Sequence, residues 1–491
     1  MEFRRKVYLD NNATTQIDER VAKKIKSFVK HYGNPSSHHS IGKYTGSLVE
    51  TARKHVSELI NAEPEEIIFT SGGTEANNMI LKGVASSLKE KGNHIITSRI
   101  EHPSIIETCE FLKKQGFQIT YLPVNSDGLI DLNELEKAIN DKTILISIMS
   151  ANNEIGSIQD IKHISEIAHS KNILFHTDAV QAVGKIPIDA KTMDVDFLTY
   201  SSHKIYGPKG IGALYFKTSE NFENLIHGGY QEFLLRGGTE NTIGIIGFGE
   251  AAKVIIKDGL GYNNKIRSLR SLFINSIKDF FPNIKVNGPL TGGLSGTINL
   301  LFPETDNNKM IALLDYYGIC ASTGSACSEG GGEASHVLKA IGLSNKDANS
   351  SIRFSIGKYS SKKDIKYTVK KLKEILNDKI NLHYLLPKEF DESMILNKDY
   401  LLVDIRSNFQ RKITKPMAKA ELVDHFKTDK YFNTIPKNKN IILICELGSN
   451  AINTGYKLKK RGFSNVMVLF GGYISWKTIH PDLFKKYVED N

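Results

Sequence analysis

The chain has 491 residues and a formal net charge of +10, and 40% of its residues are hydrophobic. This length exceeds that of one ordinary domain, so we expect two or three domains with a large core. Four cysteines in so long a chain are too few for a disulfide framework. The N-terminus lacks the apolar stretch of a signal peptide. No apolar run reaches the length of about 18 residues that a membrane helix needs. We therefore expect a cytoplasmic globular protein with reduced thiols.

The excess positive charge comes mainly from lysines that are spread along the whole chain without a basic arm. This distribution favours a solvated lysine-rich surface over direct nucleic-acid binding. The cysteine and histidine spacings do not match those of zinc sites, and no short repeat is visible. The sequence therefore predicts neither a metal site nor a nucleic-acid partner.

Short β-branched runs alternate with helical patterns through the first half of the chain. The predicted strands lie at 67–69, 95–97, 143–148, 173–175, 197–200 and 212–216. This alternation predicts an α/β fold with a mainly parallel sheet covered by helices. Ligands bind at the carboxyl ends of strands in such sheets, so the residues that follow each run are the candidates for chemistry.

A later periodic block, 362–376, predicts a long amphipathic helix, and the pattern weakens after it. We therefore expect a first unit at 1–380, a linker at 381–399 and a separate small α/β domain at 400–491. Within this last part, the apolar runs at 400–404, 441–445 and 466–470 predict three strands.

The first predicted strand leads into the segment 71–77, which contains two glycines and opens a helical pattern. The free N–H groups and the helix dipole at such a point suit a phosphate. Gly73 would allow the phosphate to approach closely, and Thr74 adds a hydroxyl group. A glycine turn alone is weak evidence, because most such turns only reverse the chain.

Two later strand ends carry Asp178 and Lys204. A carboxylate can pair with a protonated ring nitrogen, and a lysine can form a Schiff base with an aldehyde cofactor. Each residue is ordinary on a protein surface when it occurs alone. Together with the phosphate cradle, in this order on successive α/β units, they favour pyridoxal 5'-phosphate as the cofactor.

These segments closely resemble the cysteine desulfurases of the fold-type I, class V aminotransferase group, from 7–15 to about 376. The resemblance implies a homodimeric, pyridoxal-phosphate-dependent enzyme that converts L-cysteine to L-alanine. It makes Lys204 the cofactor lysine, Asp178 the partner of the ring nitrogen and His102 the residue stacked on the ring. The remaining contacts that it implies are Gln181 and Asn153 at the ring hydroxyl or substrate, and Gly73, Thr74, Ser201, His203 and, from the second subunit, Thr239 at the phosphate.

The feature that separates a desulfurase from other members of the group is a nucleophilic thiol on a mobile loop. The segment 323–332, which contains Cys327, matches the sequence of that loop. Flanking glycines permit the travel that a thiolate needs to reach the substrate sulfur, which then stays on Cys327 as a persulfide. Cys320 fits an inert thiol better. Arg353 matches the family's arginine that binds the substrate carboxylate through two parallel hydrogen bonds.

The C-terminal part, from roughly 385 to 491, resembles a single rhodanese domain. Cys445 lies between a predicted strand and a helix N-terminus, where backbone N–H groups lower the pKa of a thiol and can hold a persulfide. The loop departs from the family because it lacks the usual arginine near Asn450, and 413–416 stands where a histidine-proline-glycine segment is usual. Two roles remain open here: sulfur relay from Cys327 through Cys445, or docking without sulfur chemistry.

The sequence also leaves the substrate and the acceptor open. The alternative for the first unit is a selenocysteine lyase or another pyridoxal-phosphate β-lyase, with the C-terminal domain as a non-catalytic docking module. Replacement of Cys327 separates these alternatives, because only a desulfurase of the expected kind then stops releasing sulfur. The acceptor of the sulfur is expected to be an iron–sulfur scaffold or a tRNA-thiolation protein.

Overall fold

The computed structural model describes residues 6–217, 222–259, 261–324, 334–377 and 382–490. Cys327 therefore lies outside the described residues. None of the helices described is long and apolar enough to cross a membrane. Three successive parts of the chain form separate sheets, and each is described in turn below.

The first part contains a large sheet and the helices that cover it. Its elements are β1 (Val7–Tyr8), α1 (Glu19–Phe28), α2 (Ser40–Glu58), β2 (Ile67–Thr70), α3 (Gly73–Ser87), β3 (His94–Ser98), α4 (Pro103–Lys114), β4 (Gln118–Leu122), α5 (Leu132–Ala138), β5 (Thr143–Ser147), α6 (Ile161–Ser170), β6 (Leu174–Asp178), α7 (Ala190–Met193), β7 (Phe197–Ser201) and β8 (Gly212–Phe216).

The large sheet has seven strands in the order β2-β8-β7-β6-β5-β3-β4. β8 runs antiparallel to both of its neighbours, and the other pairs are parallel. Every residue of β3, β5, β7 and β8 is buried, because helices cover both faces, and this explains the continuous apolar runs in the sequence. The predicted α/β fold class is confirmed. β4 was not predicted, because it is a partly exposed edge strand of mixed polarity.

The second part continues with α8 (Thr242–Asp258), α9 (Tyr262–Lys278), β9 (Lys285–Asn287), β10 (Thr297–Leu301), α10 (Asn307–Tyr316), β11 (Ile319–Cys320), α11 (His336–Ala340), α12 (Asn345–Ala348), β12 (Ser351–Ser355) and α13 (Lys362–Leu376). Its antiparallel sheet has the order β12-β10-β9, and β1 returns from the N-terminus to pair with β11. Because Asp10 also bridges to Ser355, the residues that follow β1 are carried to the edge of the large sheet. The helix predicted at 362–376 is α13.

The third part contains β13 (His383–Leu385), α14 (Glu392–Leu396), β14 (Tyr400–Asp404), α15 (Asn408–Ile413), β15 (Glu421–Leu422), α16 (Thr428–Phe432), β16 (Asn440–Ile444), α17 (Ser449–Lys460), β17 (Val466–Leu469), α18 (Gly472–Ile479) and α19 (Pro481–Phe484). These strands form a parallel sheet in the order β13-β17-β16-β14-β15. The three strands predicted from the sequence are its centre. The segment 381–399 was expected to be a linker, but it contains β13, a strand of this sheet, and α14, a helix that covers the sheet. Both elements are too short to show a period in the sequence.

The second and third parts pack together through α10 and α17. The rings of Tyr316 and Tyr456 lie 5.1 Å apart and edge to face, and Nζ of Lys460 donates to the hydroxyl of Tyr317 over 2.8 Å. Tyr456 is buried among the apolar residues of the second part. The C-terminal domain is therefore packed against the rest of the described chain, and the contact includes an aromatic pair of a kind that stabilises buried interfaces.

Candidate active site

A cavity of about 250 Å³ lies at the carboxyl edge of the large sheet. The strands β6 and β7 and the N-terminus of α3 meet there, and β12 and the segment after β1 close it from the second part. This is the location that the parallel topology predicts for a ligand. The side chains that line the cavity form three groups, which differ in their chemistry.

The first group contains four residues at which the sequence placed a phosphate: Gly73, Thr74, Ser201 and His203. Gly73 opens α3, so its N–H and the next ones have no acceptor within the helix. Burial, with a contribution from the charge of Lys204, lowers the pKa of His203 to about 3. The imidazole is therefore neutral at pH 7, and Nδ1 lies 3.1 Å from the hydroxyl of Thr14. Free helix N–H groups and hydroxyls are the donors that suit a phosphate.

The second group surrounds Asp178, whose carboxylate is buried at the end of β6. Oδ2 accepts a hydrogen bond from Nδ2 of Asn77 over 2.8 Å, and Oδ1 accepts one from the N–H of Val180 over 3.0 Å. These two donors fix the plane of the carboxylate. Sequence reasoning assigned no role to Asn77, since a polar residue in a helix gives no signal until the facing strand is placed.

His102 lies beside this carboxylate at the start of α4. Its Nδ1 accepts from the N–H of Ser104 over 3.1 Å and lies 2.8 Å from the hydroxyl of Ser104, which in turn accepts from Asn77. Burial lowers the pKa of His102, and the charge of Lys204 adds to this effect. The ring is therefore neutral and held in one orientation by a chain that ends at Asp178.

The third group contains the cationic side chains. Lys204 lies in a single helical turn after β7, and its Nζ donates to the carbonyl groups of Asn12 and Ala13 over 2.6 Å and 2.8 Å. Gln181 donates from Nε2 to the same carbonyl of Asn12 over 2.9 Å. The segment at Asn12 thus joins two residues predicted to bind the cofactor, and its own role was missed because its place depends on the pairing of β1 with β11.

Arg353 reaches the cavity from β12 and is only 1% exposed. Nη2 donates to Oδ1 of Asp10 over 2.9 Å, and Nη1 donates to the carbonyl of Asn153 over 3.3 Å. Nε has no acceptor among the residues that the structure describes. The guanidinium is therefore held by one edge, and such a buried, oriented cation suits a carboxylate ligand.

The segment that carries Cys327 begins and ends near Glu154, although Cys327 itself lies outside the described ranges. The hydroxyl of Ser335 donates to Oε2 of Glu154 over 2.6 Å. A Cβ built on Gly324 would lie 2.9 Å from the same oxygen, and the φ angle of +148° also favours glycine there. Glu154 is buried and follows Asn153, which lines the cavity, so it connects the cavity with both ends of that segment. No sequence pattern indicated a role for Glu154.

Thr239 does not line the main cavity within one chain. It lies in a second cavity of about 230 Å³, which Thr70, Ser71 and Arg236 also line. The expected contact of Thr239 with a phosphate in a second subunit therefore remains a prediction.

Cys445 follows β16 and faces the N-terminus of α17. Its Sγ accepts a hydrogen bond from the N–H of Gly448 over 3.1 Å, and the thiol is buried, with 2% of the residue exposed. The sequence predicted a lowered pKa. Burial instead raises the pKa of Cys445, and it outweighs the opposite effect of the nearby backbone N–H groups.

The loop that contains Cys445 is fixed by a buried arginine. Arg406 donates to both carboxylate oxygens of Asp404, to Glu446 over 2.9 Å and to the carbonyl of Lys415 over 3.0 Å. The segment 413–416 is therefore connected to the loop through Arg406. The residue after Cys445 carries a negative charge that is paired with this arginine.

A helix N-terminus with free N–H groups, a buried carboxylate and a lysine amine converge on one cavity at the edge of a mainly parallel sheet. These features define a pyridoxal-phosphate enzyme of fold-type I. The family described as Aminotransferase class-V matches residues 7–368, and the family described as Rhodanese-like domain matches residues 386–479.

Proteins described as cysteine desulfurases are among the similar relatives. "Cysteine desulfurase IscS" of Dictyoglomus turgidum is 47% identical over 375 residues, which cover 76% of this chain and 95% of that protein. "Cysteine desulfurase IscS" of Methanosarcina thermophila is 43% identical over 385 residues, which cover 78% and 95%. A solved "NifS-like protein" has a TM-score of 0.72 and 38% identity, and covers 76% of this chain and 99% of its own. The chain belongs to the class-V aminotransferase family, in its cysteine desulfurase branch, with a rhodanese-like domain at the C-terminal end.

Pyridoxal phosphate is the cofactor of this family, and the cavity fits it. A Cβ on Gly73 would approach Cγ2 of Val180 to 2.9 Å, so a side chain at the start of α3 would require Val180 to shift. The buried Oδ1 of Asn77, which lines the cavity, has no partner among the described residues, which leaves a polar atom for a ligand. The carboxylate of Asp178 supplies an acceptor for a protonated ring nitrogen, and Lys204 supplies the amine for an aldehyde.

Proposed function

We propose that this chain converts L-cysteine to L-alanine and holds the sulfur as a persulfide on Cys327, as a cytoplasmic homodimer. The observation that carries the proposal is the convergence of Lys204, Asp178 and Arg353 on one cavity. The desulfurase names of the relatives support it, and the sparse cysteines support a reducing compartment. The homodimer rests on the expected reach of Thr239 into a second subunit.

In this proposal the described residues hold the cofactor at three points. Asp178 would hold the ring nitrogen, and Lys204 would hold the aldehyde carbon. The phosphate would be held by the end of α3 together with Thr74, Ser201 and His203. When bound, pyridoxal phosphate supplies an electron sink for negative charge at the substrate carbon. Gln181 and Asn153 contact the ring hydroxyl or the substrate.

Arg353 orients the substrate, because its guanidinium binds the carboxylate of cysteine. Asp10 and the carbonyl of Asn153 hold the guanidinium in place. His102 is neutral, since burial lowers its pKa, so it can accept a proton from the substrate. The orientation of its ring through Ser104 keeps one nitrogen available for this transfer.

Sulfur transfer requires the thiolate of Cys327. Its sulfur forms a bond to the substrate sulfur, and the bond between that sulfur and the substrate Cβ breaks. The electron pair remains with Cβ, which takes a proton to give alanine. Neither Cys109 nor Cys320 fits this role, because Cys109 is buried and burial raises the pKa of both thiols.

The C-terminal domain extends the proposal to a relay. The thiolate of Cys445 attacks the outer sulfur of the Cys327 persulfide, the S–S bond breaks, and Cys327 returns as a thiolate. The rhodanese-like fold and the N–H group of Gly448 beside Sγ support this step. The sulfur then passes to an acceptor such as an iron–sulfur scaffold or a tRNA-thiolation protein.

One observation favours the second candidate role, a docking module. Cys445 is buried and its pKa is raised, which lowers the thiolate fraction and the access of a donor. In that case the domain binds the acceptor while Cys327 delivers the sulfur.

The activity is tested by measuring alanine and protein-bound persulfide separately, with and without reductant. Cys327→Ser is expected to keep the cofactor and to bind cysteine, which changes its absorbance, but to form no alanine and no persulfide. Cys320→Ser is the matched control and is expected to turn over normally. Alanine formation by the Cys327 variant at the wild-type rate would make the chain another kind of β-lyase.

The relay is tested with labelled sulfur from cysteine, followed to Cys445 by peptide mass spectrometry. Label on Cys445 within the turnover time supports the relay. If Cys445→Ser leaves both the persulfide content and the delivery to the acceptors unchanged, the C-terminal domain is a docking module.

A further inference from the structure

Lys185 lies next to the cofactor cavity but does not line it. Its Nζ donates to Oδ1 of Asn12 over 3.1 Å and to Oε1 of Gln181 in a short hydrogen bond. Both partners line the cavity. Lys185 follows Gln181 by four residues, so that the turn after β6 brings the amine under the amide.

The two hydrogen bonds decide which end of each amide faces the cavity. A side-chain amide has an acceptor oxygen and a donor nitrogen, so a donor at the oxygen fixes its orientation. With Oε1 bound to Lys185, Nε2 of Gln181 is directed away and donates to the carbonyl of Asn12 over 2.9 Å. With Oδ1 of Asn12 bound in the same way, its Nδ2 donates to the carbonyl of Asn153 over 3.0 Å and to Thr297 over 2.8 Å.

The surroundings of this amine are costly for a lysine. Burial lowers the pKa of Lys185 well below its ordinary value, and the positive charges of Lys204 and Arg353 lower it further. The partners recorded for Nζ among the described residues are amide oxygens and not carboxylates. An apolar side chain would fill the same space without this cost, so packing alone does not account for a lysine.

Lys185 is also connected to the cofactor lysine through one residue. Nζ of Lys204 donates to the carbonyl of Asn12, whose side chain binds Lys185. Two amines therefore hold the segment after β1 in position: Lys204 binds the carbonyl of Asn12, and Lys185 binds its side chain. A change at Lys185 would reach the cofactor site through Asn12 and Gln181 and not by direct contact.

We propose that Lys185 is a positioning residue for the cofactor, which fixes the amide orientation of Gln181 and Asn12 and so holds both side chains in place at the edge of the cavity. This inference rests on the proposed function, which places Gln181 at the cofactor ring. Lys185 contacts neither the substrate nor the cofactor, so its effect should follow the cofactor and not the chemistry of sulfur.

The test is the affinity of the apoprotein for pyridoxal phosphate and the absorbance maximum of the bound form. Lys185→Met keeps the length of the side chain but removes the donor. We expect its affinity to fall about tenfold, the size of effect that the loss of one or two hydrogen bonds gives, with a shifted absorbance maximum. Lys191→Met is the matched control, because Lys191 is exposed and pairs with Glu63 at the surface. Unchanged affinity and absorbance in Lys185→Met would overturn the proposal.

A double-mutant cycle separates positioning from a general effect on folding. In a Gln181→Ala background the replacement Lys185→Met should cost little more than a factor of two, because its main target is absent. A further tenfold loss there would show that Lys185 does not act mainly through Gln181, and the proposal would be wrong. If Lys185→Met does not fold, Lys185→Gln replaces it in both measurements, with the same outcomes and a smaller expected loss of about threefold. A wild-type protein that binds no pyridoxal phosphate would instead refute the proposed function.

Discussion

At the residue scale, Lys204 has the most specific task. Its amine lies between two backbone carbonyl groups at the edge of the cavity, with Asp178 and His102 around the same space. The two carbonyl oxygens accept hydrogen bonds from the amine and so fix its orientation. The neutral states of His102 and His203 follow from burial, so the positive charge that lines the cavity comes from Lys204 and Arg353.

We expect Lys204→Ala to lose both turnover and the absorbance of the lysine-bound cofactor. No other side chain of the cavity offers an amine, since Lys185 does not line it. The measurement is the absorbance spectrum of the purified protein after incubation with pyridoxal phosphate, together with alanine formation. Lys137→Ala, at an exposed lysine paired with Glu134, serves as the control. A Lys204 variant that still converts cysteine would refute the assignment.

At the element scale, short helices and strand ends bring residues from distant parts of the chain to one point. α11 is an example, because Ser335 both caps this helix and donates to Glu154 beside the substrate side of the cavity. The cap therefore couples the end of the segment that carries Cys327 to the segment of Asn153. A loss of this coupling should affect the sulfur step and leave the cofactor in place.

Ser335→Ala tests this coupling, with Ser344→Ala as its matched control. Both serines cap short helices, but the cap at Ser344 involves Asp347 and no residue of the cavity. Each replacement should cost about 1 kcal/mol of stability through the lost cap. Only Ser335→Ala is expected to lower kcat, by about tenfold or more, at unchanged cofactor content, because a small misplacement of a nucleophile is costly. Equal kcat values in the two variants would contradict the coupling.

At the scale of the whole molecule, the large sheet encloses titratable groups far from the surface. His176 in β6 is fully buried, and its ring nitrogens lie 2.9 Å from the hydroxyl of Ser147 and 3.1 Å from that of Thr199. Burial lowers the pKa of His176 to about 3, from an ordinary value of 6.5. Between these values the unfolded chain binds a proton that the folded protein does not bind, so stability falls as the pH decreases from about 6.5 to 3.

His176→Gln is expected to lower the free energy of unfolding at pH 7 but to reduce its dependence on pH. The wild-type protein should lose roughly 2 kcal/mol through this histidine between pH 6.5 and pH 5, and the variant should not. Glu101, whose pKa burial raises to about 8, changes stability with the opposite sign and is present in both proteins, so the difference isolates His176. Thermal unfolding at pH 7 and pH 5 provides the measurement, and parallel changes in the two proteins would contradict the prediction.

Local sequence patterns were enough to predict the elements with a strong period and the residues that follow them. The apolar strands of the large sheet and α13 were predicted because buried strands and amphipathic helices leave a continuous or periodic pattern. Gly73, Asp178 and Lys204 were selected because each follows such a strand, and Cys327 because glycines surround it. The family resemblance added roles for His102, Gln181 and Arg353 that their local sequence does not reveal.

Tertiary structure alone decided which residues support these side chains. Asn77, Ser104, Asn12, Glu154 and Lys185 act through partners that are distant in the sequence, and no local pattern indicates those pairings. β13 and α14 were too short for a period and became visible only through their place in the C-terminal sheet. The raised pKa of Cys445 has the same origin, since the N–H groups of its loop are local, whereas the burial that outweighs them comes from the packing of the whole domain.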